Sequence, residues 1–223
     1  MEKPDVKESV PICHTVLLDM LGLSPTSGRT GADLRTAVGD FLAHAEYLLT
    51  YDLTGPPLTE IFELARQAGA TFAVLEHVRK TAAGLTANLL GAVLIRDSLI
   101  GLALATEAQV LANMVFVSRD DVDAMKRSLN DAFTPMEEVT ADKMDQDGYV
   151  GIVSLHAAAI AHLTETARPL PRMLNFTFHS PSLPTLIAAY RLYADASRAD
   201  ELRAENHVVH PLFMRPAGRA LSN

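Results

Sequence analysis

Apolar residues recur at helical spacing through most of this chain, and the alternation that marks a strand is confined to one stretch, Asn175–Ser222. That stretch opens with a short alternating segment, NFTFHS. Two helical segments joined at Ala194–Ser197 follow, Asn206 closes the second, and the segment from His207 to Ser222 is extended. The expected fold is mainly α: a multi-helix region followed by a small C-terminal β-α-α-β lobe. Three parts are expected: an N-terminal helix and linker over 1–31, a helical domain over 32–168, and the lobe over 169–223.

Upstream of the lobe the pattern predicts helix after helix. Val6–Leu21 forms the first, stopped by Gly22 and the Ser24–Gly31 linker. Asp33–Thr50 places Leu34, Val38, Phe41, Leu42, Ala45 and Leu49 on one face. Thr54-Gly55-Pro56-Pro57 breaks it, and a helix over about Leu58–Lys80 follows, interrupted at Gly69. A long apolar helix after Gly84 is expected to split or kink near Arg96–Ser98. Ser118 with Asp121 three residues later reads as an acidic capping box. The helix it opens is expected to end at Pro135, leaving Glu137–Asp147 as an acidic connector, helical in part. Tyr149, Ile152, Val153, His156, Ala159, Ile160 and Leu163 mark one more amphipathic helix, ended by Arg168-Pro169-Leu170-Pro171.

Charge and cysteine content exclude several functions. With 19 Lys+Arg against 27 Asp+Glu the chain carries −8, and no basic run offsets it, so phosphate-backbone binding has no electrostatic footing. The single cysteine, Cys13, allows no intrachain disulfide and no Cys-rich zinc site. Met1–Lys7 is mostly polar and no long apolar run follows it, so no secretory signal is read. In the window Asn88–Thr106 nine Leu, Ile or Val residues favour membrane insertion by roughly 0.3–0.6 kcal/mol each. Arg96 and Asp97 at its centre cost about 2.5–3.5 kcal/mol apiece, so a buried helix is expected rather than a span.

No residue set reads as a catalytic or metal centre, and neither an enzyme nor a cofactor is expected. His156 and His162 lie six apart, about 240° around a helix, and cannot chelate one ion together. His156 reads as a hydrogen-bonded core histidine, and His162 with Glu165 as a surface pair. His207 and His210 point to opposite faces of an extended segment, which favours turn capping or packing. Asp33, Asp40 and Glu46, like Asp142, Asp145 and Asp147, lack calcium-loop spacing and read as solvated helix starts and loop. Cys13-His14 are adjacent and diverge by about 100° on a helix. G-x-S-x-G, P-loop and G-x-G-x-x-G patterns do not occur.

The C-terminal run carries a resemblance. Pro181-Ser182-Leu183, Ala189–Tyr193, Asp195-Ala196, Arg198–Leu202, Asn206 and His210-Pro211 follow one another as in the DNA circularisation (circulation) proteins of Mu-like phages and prophages. LARQAGATFAVLEHVRK, NMVFVSRDDVDAM and TARPLPRML resemble the helical middle of the same family, so the similarity spans about Asp33 to Ser222. It implies a structural protein of a contractile tail, located in the virion baseplate and made in the bacterial cytoplasm. The implied partners are tube, hub and wedge proteins in a symmetric multi-copy assembly, with neither nucleic acid nor a membrane span.

The lobe is also similar to a lysin motif, in which two short helices pack on a two-stranded sheet. That similarity puts Tyr190 and Tyr193 on the first helix, Leu202 on the second, Asn206 at its end in left-handed geometry, and the second strand over His210–Leu221. Pro181, Leu183, Asp195, His210 and Pro211 complete the expected docking lobe. The usual Gly-Asp-Thr start of a glycan-binding lysin motif is Ser180-Pro181-Ser182 here, and a usual Gly is Ala194. Docking onto proteins is therefore expected ahead of the alternative, a cell-wall glycan binder. Family members usually begin with a β-rich domain that this sequence lacks, which implies that another chain supplies the tube-facing contacts.

Overall fold

In a computed structural model that describes residues 1–143, 146–179 and 182–222, the protein is mainly helical, with a two-stranded antiparallel sheet near its C-terminal end. It divides into two compact units, 1–114 with 129–160 and 115–128 with 161–223. The long helices α7 (Arg119–Asp142) and α8 (Gln146–Ala167) contribute residues to both.

The first unit is built on α1 (Lys3–Leu23) and α6 (Leu90–Leu111), which pack against each other. Ile12, Cys13, Val16, Leu17 and Met20 of α1 are buried at helical spacing. Around this pair lie α2 (Gly28–Ala43), α3 (Ala45–Thr50), α4 (Gly55–Gln67) and α5 (Phe72–Gly84). One continuous core runs through all six, with Phe41, Phe62, Leu75 and Leu99 among its fully buried side chains.

Leu89, at the N-cap of α6, has no side-chain oxygen to accept the first free N–H groups. Carboxylates of α1 supply it: Glu8 accepts from the N–H groups of Asn88 and Leu89, each at 2.9 Å, and Asp5 from Gly91 at 2.9 Å. Those backbone donors hold the Glu8 carboxyl below its ordinary range. The fit depends on Gly91, where a Cβ would stand 2.7 Å from Asp5 Cβ.

Several boundaries differ from the sequence expectation. Helix α2 starts at Gly28, inside the expected linker, because Gly31 lets its first turn press on the Thr26 backbone. The expected Asp33–Thr50 helix is two, parted at His44, whose Nδ1 and N–H both turn back to the Asp40 carbonyl. The Leu58–Lys80 helix is also two. Gly69 at φ 96° donates to Arg66 O and Ala70 to Ala65 O, the two bonds of a Schellman ending.

Conversely, α6 does not split at Arg96–Ser98. Asp97 is buried on a continuous helix because Arg96 and Lys143 both ion-pair with it. Nor does Pro135 end α7, which runs on to Asp142. The turns beyond the proline are held from outside the helix, by His156 on Glu137 at 2.7 Å and by Lys143 on Asp97. Of the acidic connector, Glu137–Asp142 is therefore helix, while Asp145 lies outside the described residues.

The second unit carries the lobe, β1 (Met173–Thr177), α9 (Thr185–Tyr193), a 3-10 turn (Ala196–Arg198), α10 (Ala199–Glu205) and β2 (Ala217–Leu221). The strands pair antiparallel with Met173 opposite Leu221 and Thr177 opposite Ala217. The second strand is shorter than the expected His210–Leu221 because residues 210–213 close a turn, Phe213 N–H donating to His210 O at 3.0 Å. The first begins two residues before the expected NFTFHS segment, where Asp120 accepts from the Met173 N–H at 2.6 Å. Ser118 and Asp121 form the expected reciprocal cap, Oγ to Oδ2 at 2.8 Å and Asp121 N–H to Oγ at 3.2 Å. Arg119 Nε donates to the Leu170 carbonyl at 2.6 Å, tying the proline-containing segment to this helix start.

Candidate docking lobe

The lobe closes around a small core of Ala188, Ala189, Tyr193, Ala199, Leu202, Met214 and Ala220, with Phe176 and Phe178 packed against it. Two alanines on α9 let the helices and sheet approach closely, and Leu202, fully buried, contributes about 2 kcal/mol by removal from water. Tyr193 is buried with the Arg198 guanidinium 3.8 Å from its ring centroid, and burial pushes its phenol upward in pKa. Arg198 is aimed by Glu201 through two bonds, at 2.7 and 3.1 Å. Asp195 accepts from the Ser197 N–H and hydroxyl, each at 2.8 Å, capping the turn between the helices; those two donors lower its pKa.

Asn206 joins α10 to the sheet. Its carboxamide donates to Leu202 O at 2.8 Å and Arg219 O at 2.7 Å, and accepts from the Arg219 N–H at 2.8 Å. Arg219 sits opposite Asn175 in a non-hydrogen-bonded pair, since the bonded pairs on this ladder fall at Arg172/Ser222 and Phe178/Pro216. Its backbone groups therefore face away from β1, and one side chain satisfies both. Gly218 makes room: a Cβ there would overlap the Asn206 carboxamide and stand 2.9 Å from the Phe176 ring. Glu205 adds an ion pair to the Arg219 guanidinium at 2.8 Å.

The left-handed residue at this helix end is His207, at φ 50°, not Asn206, at φ −97°. Asn206 keeps ordinary geometry, which aims its amide at β2. Ala194 is also left-handed, at φ 56°, in the position where the resemblance to a lysin motif implies a glycine. The expected extended geometry at His207 is thus also corrected. His210 caps the following turn, its Nδ1 accepting from the Leu212 N–H at 3.3 Å while its ring meets Phe213.

Of the remaining expected lobe residues, Leu183 bridges to Met214, and the Pro211 carbonyl accepts from the Thr185 N–H at 2.7 Å, pinning the 210–213 turn to the start of α9. Pro181 lies outside the described residues. Tyr190 stands apart from all of these: 64% exposed, it shares the outer face of α9 with exposed Leu186 and Ile187. Phe213, 68% exposed, and Leu212 add apolar surface at the turn. Sequence reading missed Gly218 and Met214, whose roles arise from pairings across the lobe.

Elsewhere, His156 is the hydrogen-bonded histidine expected: it meets Glu137 and Asn130 at 2.7 and 2.9 Å and stacks on Phe133. Glu165 pairs with Arg168 at 2.9 Å. Burial pushes the Cys13 thiol up to about 12, leaving it un-ionised at neutral pH. Glu107, unremarked in the sequence, is fully buried with Arg79 at 2.8 Å on one oxygen and no hydrogen-bond partner for the other among the described residues. Desolvation pushes its carboxyl up to about 7 against the pull of Arg79. Among the described residues no group of three or more His, Cys, Asp or Glu side chains is placed to hold a metal ion, and no helix is long and apolar enough to cross a membrane.

The fold and the lobe define a mainly helical chain with an exposed apolar face on a small β-α-α-β unit. No protein-family model matches the chain, and no curated protein matches it.

Proposed function

We propose that this chain is a structural component of a contractile phage-type tail baseplate, an adaptor between tube or hub and wedge proteins that docks through its C-terminal lobe. The observation that carries the reading is the outer face of α9, where Leu186, Ile187 and Tyr190 stand in solvent while the inner face already fills the lobe core. Apolar side chains gathered on one helix face beyond the needs of the fold suit a protein interface. The resemblance of Pro181–Pro211 to the Mu-like circularisation proteins supplies the setting. The lobe's polar groups are spent on its own architecture, as Asp195 and Asn206 illustrate, which favours docking over chemistry.

A photo-crosslinking amino acid at Tyr190, in a host producing the tail, tests this. Discrete adducts with other tail proteins and co-purification with tail particles are expected. Absence from purified tails would overturn the baseplate assignment. Saturable retention of the full chain on insoluble peptidoglycan, lost in Tyr190→Ala, would replace docking with glycan binding.

A further inference from the structure

The two units carry opposite charge. The unit containing the lobe has 10 Lys+Arg against 8 Asp+Glu, a net of +2, and the other has 9 against 19, a net of −10. Within the lobe every carboxylate is already engaged: Asp195 by Ser197, Asp200 by Arg203, Glu201 by Arg198 and Glu205 by Arg219. Arg191 and Arg215 have no ion pair among the described residues. Arg191 lies on the exposed arc of α9, about 40° around the axis from Ile187. The outer face of α9 is thus an apolar stripe with an uncompensated cation at its edge.

The acidic unit carries a surface of the matching kind. An open groove of about 650 Å³ runs between α2, α3 and α4. Its floor is apolar, with Phe41 buried and Leu48 and Leu64 partly buried, and Tyr47 stands exposed at its side. Its rim carries Asp33, Asp40 and Glu60, all exposed and without an ion pair among the described residues. A nine-residue helix is about 13 Å long, a length that a groove bounded by three helices can seat.

We infer that the groove between α2, α3 and α4 receives the α9 face of a second copy of this chain, Leu186, Ile187 and Tyr190 on its floor and Arg191 against its carboxylate rim. The inference rests on the reading that the lobe docks, and names its partner. Such a contact joins two different surfaces, so it is head-to-tail, and successive copies build a ring or an open chain according to the rotation between them. Like charges brought together by a reversal at such a contact repel, while the complementary pair steers association.

Sedimentation of the full chain at low and high salt tests this. The wild type is expected to self-associate with concentration, less so at high salt. Arg191→Ala with Tyr190→Ala removes the α9 face, and Asp40→Lys with Glu60→Lys removes the groove. Each double variant, checked as folded by circular dichroism, is expected to weaken self-association about tenfold or more. Mixed together they retain one intact α9 face and one intact groove, so the mixture is expected to form a 1:1 dimer and stop there. A wild type that stays monomeric at all concentrations, association surviving either double variant, or a mixture without dimer would each overturn the inference. Crosslinks from position 190 to other tail proteins without self-association would sink this partner and leave the docking reading standing.

Discussion

Removing the Asn206 carboxamide strands both backbone groups of Arg219 at once, while the Leu202 carbonyl keeps the Asn206 N–H at 3.2 Å. Arg219 is exposed, so water recovers part of the loss, and Asn206→Ala is expected to cost about 2 kcal/mol by urea denaturation. Gly218→Ala displaces the same carboxamide from the other side, so the double variant should cost clearly less than the sum of the singles. Glu107 is a residue-scale case of opposite character. Its buried carboxyl keeps its proton up to about pH 7, whereas the unfolded chain releases it near the ordinary 4.5. The native state therefore holds more protons between those values. The stability this group contributes is full below pH 4.5 and is lost as pH rises through 7. Across that window the wild type is expected to lose about 3 kcal/mol relative to Glu107→Gln, measured by denaturation at pH 5 and pH 8. Equal pH dependence of the two would refute the assignment.

At the scale of elements, a helix end in this protein can be completed by another helix rather than by its own sequence. The start of α6 is the clearest case, with Asp5 and Glu8 serving as remote caps over Gly91. Gly91→Ala forces α1 and α6 apart and is expected to lower stability by about 2 kcal/mol in thermal unfolding. Gly39→Ala in α2, where a Cβ meets nothing within 4 Å, should raise it by up to about 1 kcal/mol. The same remoteness explains which boundaries were legible. Ser118–Asp121 is local, three residues apart, and its cap reads directly from sequence. Arg96–Asp97 reads as a break because the cation that completes its burial, Lys143, lies 46 residues on. Pro135 reads as a stop because the contact from His156 that holds the following turn is equally invisible in a local window.

For the whole molecule, the mainly helical architecture and the two-helix, two-strand lobe followed from apolar periodicity, which reports the face each element buries. The candidate surfaces were less legible. Tyr190 and Tyr193 look alike in sequence and lie only about 60° apart around the helix, yet one is exposed and the other lies under Arg198, because the edge of the buried face falls between them and only packing places that edge. Asp33 and Asp40 read as solvated helix positions, and their place on a groove with Glu60 appears only once α2 and α4 are packed. The charge of −8 also concealed a division into −10 and +2 that a single total cannot express. The remote cap on α6 sets a delay during synthesis. Glu8 must wait for Asn88 and Leu89, 80 and 81 residues later, about 4–16 s at ordinary translation rates. Through that interval α1, whose Val16, Leu17 and Met20 belong to the shared core, lacks the α6 helix it packs against in the finished protein. The speed of the ribosome between the codons for Glu8 and Leu89 therefore sets how long α1 waits for its partner, and chaperone demand should concentrate there.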